Sequence, residues 1–175
     1  LSQSDSREIS RLLHTIGDFE RISDHAVDIA EAAEEINSKQ IVFSADAQQE
    51  IKVISAAVRR VLHMSIQSFT TGDIALAQQV EPLEEVVNHL RSAIKNRHIA
   101  RLQEGSCTIE LGFVFSDLLT SFERVSDHCS NIAACMIELQ HGSYDTHEYL
   151  NSIKSGKNAD FVDRYNHFLT EYALP

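Results

Sequence analysis

Wound at 100° per residue, the stretch from about Ser4 to Ile36 places Leu12, Phe19, Ile22, Ala26, Ile29 and Ala33 on one face, the spacing of one long amphipathic helix ending at Asn37. Ser44 is then positioned to cap a second helix running to Thr70 or Thr71, with Ile51, Ile54, Val58, Val61, Leu62, Ile66 and Phe69 as its apolar stripe. Gly72 terminates that helix and Asp73 caps the next, which the pattern carries from Ile74 to about Gln103 with a kink at Pro82. After Gly105, a fourth long helix from about Thr108 to Leu139 carries Leu111, Phe115, Leu118, Phe122, Val125, Cys129, Ile132 and Met136, and Gly142 stops it. The remainder is shorter and more polar. Asp145 and Glu148 have the spacing of a capping box, and Ser155, Gly156 and Asn158 divide two short helices that should pack on the bundle.

Composition agrees with an all-helical chain: six glycines, two prolines and no tryptophan in 175 residues, 43% of them apolar, enough for one core. A formal net charge of −11 repels nucleic acid and anionic membranes, and the densest basic group, Lys95, Arg97 and Arg101, is interrupted by His98 and followed by Glu104. Cys107, Cys129 and Cys135 are odd in number and lack a CxxC spacing, as suits small buried residues of a reducing compartment. No apolar run reaches the ~18 to 20 residues of a membrane span, and no leader pattern opens the chain. A start at Leu1, just ahead of a long helix, is what a soluble domain excised from a larger polypeptide would give.

A repeat changes the picture. FERISDHAVDIA, from Phe19 to Ala30, aligns with FERVSDHCSNIA, from Phe122 to Ala133, at a constant offset of 103 residues. Amphipathicity explains the recurring apolar positions but gives no reason for Glu-Arg-x-Ser-Asp-His to recur intact. In the first copy Glu20, Asp24, Asp28, Glu31 and Glu35 fall within an arc of roughly 80°, a ladder of carboxylates beside the apolar stripe. Acids one turn apart repel by about 0.2 to 0.5 kcal/mol per pair, so such a face invites a cation. The second ladder, Glu123, Asp127 and Asn131, is shorter, because Ala134 stands where Glu31 stood. Hard oxygen ligands suit Mg²⁺, Ca²⁺ or Mn²⁺, and His25 or His128 nearby would admit Fe, Ni or Zn; spacing does not choose among them. The plainer alternative is a solvated face in which Arg21 pairs with Asp24 and Arg124 with Asp127. His14, His63, His89 and His98 have no ligand-spaced partner and are expected at the surface or its boundary.

Both segments resemble the signature that closes each three-helix repeat of the PhoU family, whose E(D)xxxD core is associated with multinuclear metal clusters. Glu20/Asp24 and Glu123/Asp127 match that core, and TTGDIALAQQVEPLEEVVNHL resembles the opening of a repeat, with Glu81, Glu84 and Glu85 in its acidic part. The resemblance implies an antiparallel all-α bundle of PhoU type: residues 1–40 the signature helix of a truncated first repeat, 41–141 a second repeat, and 142–175 a helical tail. CTIELGFVFSDLLTSFERVSDHCSNIAACMIEL followed by DTHEYL is similar to the cytoplasmic domain joined to bacterial sodium/phosphate cotransporters. It implies a regulatory domain at the cytoplasmic face of the inner membrane, with the transmembrane part of the same polypeptide as partner and phosphate handled only there. A free-standing PhoU-type regulator and a metal-free helical interaction module are the alternatives. The candidate metal ligands are Glu20, Asp24, Asp28, Glu123 and Asp127, with Glu31, Glu81 and Glu85 behind them.

An enzyme is not expected. No Glu-x-x-His of a di-iron bundle, GxSxG, P-loop or HExxH occurs, and the adjacent Asp-His pairs are in the wrong order for the His-Asp dipeptide of a metal phosphohydrolase. A truncated repeat leaves an apolar stripe on its first helix, so a homodimer is the expected assembly.

Overall fold

The structure is a computed structural model describing residues 3–141 and 159–175. Its helices are α1 (Gln3–Ser38), α2 (Ala45–Thr71), the single turn α3 (Ile74–Ala77), α4 (Val80–Gln103), α5 (Ile109–His141) and α6 (Ala159–Glu171). The expected all-helical bundle is therefore observed, with α5 as its axis and α1, α2 and α4 packed around it. Side-chain pairings fix the directions. Thr15 meets Cys135 while Lys39 meets Glu110, so α1 runs antiparallel to α5. Glu81 meets Ser130 and Arg91 meets Glu123, which makes α4 antiparallel as well. Phe43 packs on Phe115 and Ser65 reaches the Cys129 carbonyl, so α2 runs parallel to α5.

The helix ends follow from local chemistry. The Ser44 hydroxyl accepts from the Ala47 amide at 3.2 Å, and the Asp73 carboxylate accepts from the Leu76 amide at 3.0 Å. Gly72, at φ 71°, closes α2 by donating its amide to the Ser68 carbonyl, a left-handed cap that disfavours any residue with a Cβ. The helix expected to run from Ile74 through Pro82 with a kink is instead two helices, parted by a turn at Gln78 and Gln79. Pro82 thus sits in the first turn of α4, where a missing N–H leaves no helical bond unmade. The reading of Gly142, of the Asp145 to Glu148 capping box, and of a break at Ser155, Gly156 and Asn158 lies outside the described residues.

The core is continuous through Ile54, Val61, Leu83, Leu90, Ile94, Phe115 and Ile132. On α5 the expected stripe is buried apart from half-buried Leu111, because three helices surround it. On α1 the expected stripe is wider than the buried one: Ile22 is buried and Ile29 half-buried, but Leu12, Ala26 and Ala33 are exposed. The physical reason is that α1 packs chiefly on one helix, leaving its far side, with Ile9, Leu13, Ile16 and Val27, uncovered among the described residues. Ile66 of α2 is likewise exposed. Cys129 is buried as anticipated, but Cys107 lies in the α4–α5 loop rather than on a helix.

Glu50 is a charged group embedded in this core. Fully buried, it accepts two bonds from the Arg101 guanidinium at 3.1 and 2.7 Å, with Arg97 3.5 Å away. That bond to Glu50 raises the Arg101 pKa, holding it charged. Arg97 also donates to the Pro175 carbonyl at 2.9 Å, and Arg60 pairs with Glu171, so α6 and the residues after it are tied to α4 and α2 around the buried ring of Phe168. His98, expected near the surface, is 7% exposed and stacks on Phe115 at 4.8 Å. Helical position alone put it at the boundary; the close approach of α5 covers it.

Candidate functional site

The two signature segments lie against each other. Because α1 and α5 are antiparallel and the copies share one offset, residues that correspond in sequence can meet in space. His25 stacks on its counterpart His128, with ring centres 5.8 Å apart and planes 22° from parallel. The sequence repeat has thus become a local pseudo-twofold arrangement. Its hydrogen bonds are not symmetric. His128 Nδ1 is 2.9 Å from Asp18 Oδ1, which also accepts from Asn131 Nδ2 at 3.2 Å, while His25 Nδ1 is 3.0 Å from Asp28 on its own helix. Asp18 lies just ahead of the repeated segment, and nothing in the motif marked it.

Two of the first ladder's acids remain dispersed on the surface. Glu20 and Asp24 are exposed, and Arg21 donates to Asp24 at 3.3 Å. Asp28, Glu31 and Glu35 come together differently: with His25, Asp117 and Arg124 they line a groove of about 420 Å³ between α1 and α5. Lys39 contacts Glu35 at 2.9 Å and Glu110 at 3.1 Å, so the ladder meets a cation of its own chain at Glu35. On α5, Arg91 reaches Glu123 at 3.4 Å and Arg124 reaches Asp127 at 3.5 Å. The i+3 pairings expected of a solvated face are present in both copies.

The tightest carboxylate cluster is on α4. Glu81, Glu84 and Glu85 each offer an oxygen within 4.8 Å of the others, and the first two are buried. Ser130 of α5 donates to Glu81, and the Asn88 amide donates to Glu84 at 2.6 Å. Since Glu81 meets α5 at Ser130 and Arg91 meets it at Glu123, the triad faces the stretch of α5 that carries Asp127. The donor set, carboxylates with a hydroxyl and an amide beside them, matches a hard cation. Glu84 was the missing member in the sequence reading. Its i+3 relation to Glu81 was visible, but its burial depends on α5. Asp117 was also missed, since it lies before the repeated segment.

The PhoU domain family matches residues 1–33 and 51–136 of the chain. Among curated proteins, it is 27% identical over 150 residues to the Phosphate-specific transport system accessory protein PhoU homolog 1 of Thermotoga maritima, covering 86% of this chain and 63% of the relative. The Phosphate-specific transport system accessory protein PhoU homolog of Pseudomonas aeruginosa is 26% identical over 151 residues, covering 86% of this chain and 62% of the relative. One from Clostridium acetobutylicum is 25% identical over 135 residues, at 77% and 60%. The chain spans about three fifths of the length of these relatives. No solved structure matches it.

Proposed function

Because the chain belongs to the PhoU domain family, we propose that it is the helical core of a PhoU-type regulator of phosphate uptake, acting beside a phosphate transporter as a separate accessory protein. The observation that carries this is the family match across both signature helices, together with relatives that are named accessory proteins of phosphate-specific transport. Fusion to a sodium/phosphate cotransporter, with the membrane part on the same polypeptide, is the second reading. It rests on the sequence from Cys107 to Leu139 and the DTHEYL at residues 145–150. No helix among the described residues is long and apolar enough to cross a membrane, so any membrane part would be another segment or another protein. Deleting the full-length gene and measuring phosphate uptake with and without a sodium gradient separates the two. Loss of control over a sodium-independent system supports the accessory protein, and loss of the sodium-driven uptake itself supports the fusion.

A non-catalytic role is part of this proposal. Glu81, Glu84 and Glu85 are the residues proposed to hold a cation, with Asp127 of the facing stretch of α5 as a further candidate; Glu123, Asp28, Glu31, Glu20 and Asp24 are weaker candidates on their surroundings. A bound hard cation would supply charge neutralisation. The chain's own residues set the angle between α4 and α5 through Ser130 and Arg91, and between α1 and α5 through Asp18, His128 and Asn131. Elemental analysis of tag-free protein purified without chelators tests it, beside Glu81→Gln/Glu84→Gln and Glu123→Ala/Asp127→Ala. Stoichiometric metal lost in the first variant places it on α4, and metal lost only in the second places it on α5. No metal in the parent protein leaves a helical interaction module. The uncovered far face of α1 keeps the homodimer as a proposal, which light scattering on the purified protein decides.

A further inference from the structure

The C-terminal half of α4 and the N-terminal half of α5 enclose a cavity of about 330 Å³ on the far side of Thr120 from the acidic groove. Its walls are apolar: Ile99 and Leu102 from α4, Phe113, Phe115 and Leu119 from α5. The apolar surface continues past the cavity, since Ile109 and Phe113 are 73% and 69% exposed at its rim. Two features single this place out from an ordinary exposed patch. The buried His98 lines it, and its Nε2 has no hydrogen-bond partner. Gly112 packs closely against that nitrogen, for a Cβ there would come within 3.1 Å of it.

The charges choose the occupant. Arg91 and Lys95, one turn apart on α4, line the same cavity in a chain of net charge −11, and Lys95 has no ion-pair partner among the described residues. An anionic membrane is repelled by the chain as a whole. A small amphiphile seated in the cavity would leave Ile109 and Phe113 in water. A helix laid along the groove, which spans roughly 16 Å from Arg91 to Leu102 at 1.5 Å per residue, covers both. We infer that this groove is a docking site for an acidic amphipathic helix of another protein, which sets a bulky apolar side chain in the groove and an Asp or Glu against Lys95, next to Arg91, which already pairs with Glu123 of its own chain. The site does not depend on metal at the α4 triad.

Helical peptides displayed on phage, selected on the whole protein and counter-selected on Ser116→Phe, test this. Ser116 is exposed on the cavity wall, so a phenyl ring there fills the groove without entering the core. The expected winners carry two large apolar residues three or four positions apart, with an acidic residue within two turns. Since the chain has no tryptophan, Ile109→Trp is a single fluorescent reporter at the rim. The best synthetic peptide should bind it with micromolar affinity, and Lys95→Glu should weaken binding at least tenfold while Lys95→Arg keeps it, all variants melting alike. The inference is overturned by a failure to enrich any clone sensitive to Ser116→Phe, by basic winners, or by decanoate binding the groove more tightly than every peptide.

Discussion

At the scale of single residues, environment rather than type sets the chemistry. Burial, and then the nearby Arg101, lower the His98 pKa below its ordinary 6.5, with Glu50 opposing. The unfolded imidazole therefore takes up a proton before the folded one does. The neutral folded form contributes fully above about pH 6.5, and stability falls as the pH drops below that value. Melting curves of the native protein and His98→Leu should converge, or cross, between pH 7.5 and 5; parallel curves would show that His98 contributes nothing to acid sensitivity. Burial likewise pushes the Cys129 thiol up to about 12, while burial raises Cys135 less. A disulfide reagent at pH 8 should thus modify Cys107 and then Cys135 in the folded protein, and Cys129 only on unfolding. Glu50→Ala strands Arg101 without its carboxylate and should cost about 3 to 5 kcal/mol. At about 2 to 4 °C per kcal/mol for a chain of this size, calorimetry should record a fall in Tm near 10 °C.

At the scale of elements, the boundaries that a short local rule governs were legible, and those governed by packing were not. Ser44, Gly72 and Asp73 act where the sequence placed them, because a cap is a bond between near neighbours. Ser44→Ala should cost about 1 kcal/mol by leaving a first-turn amide without its acceptor. Denaturant midpoints compared at equal slope would check it. The parting of α3 from α4 was not legible. Gln78 and Gln79 are helix-compatible residues, and the turn forms because Ala77, Val80 and Leu83 all bury into the same core. With Pro82 in the first turn of α4, Pro82→Ala should change stability by less than about 1 kcal/mol, whereas a proline at a helix centre costs about 3.

At the scale of the whole molecule, α1 stands apart, held chiefly by α5 through Thr15, Asp18, Ile22 and His25 with Phe19 edge-on to Phe69 of α2. Its amides should exchange with deuterium sooner than those of α2, α4 and α5, and Ile22→Ala should accelerate α1 selectively. Uniform exchange across the bundle would contradict this. The sequence by itself determined the helical class, most helix ends and the duplicated signature, because periodicity, caps and repeats are properties of neighbours along the chain. Only the tertiary structure decided which acids gather. Antiparallel packing set His25 on His128, aligned Glu81, Glu84 and Glu85 with the Asp127 stretch of α5, and left Glu20 and Asp24 in solvent. It also buried His98 beneath α5. A helix face defines only a direction, and whether that direction meets water or another helix is fixed by residues far away in the chain.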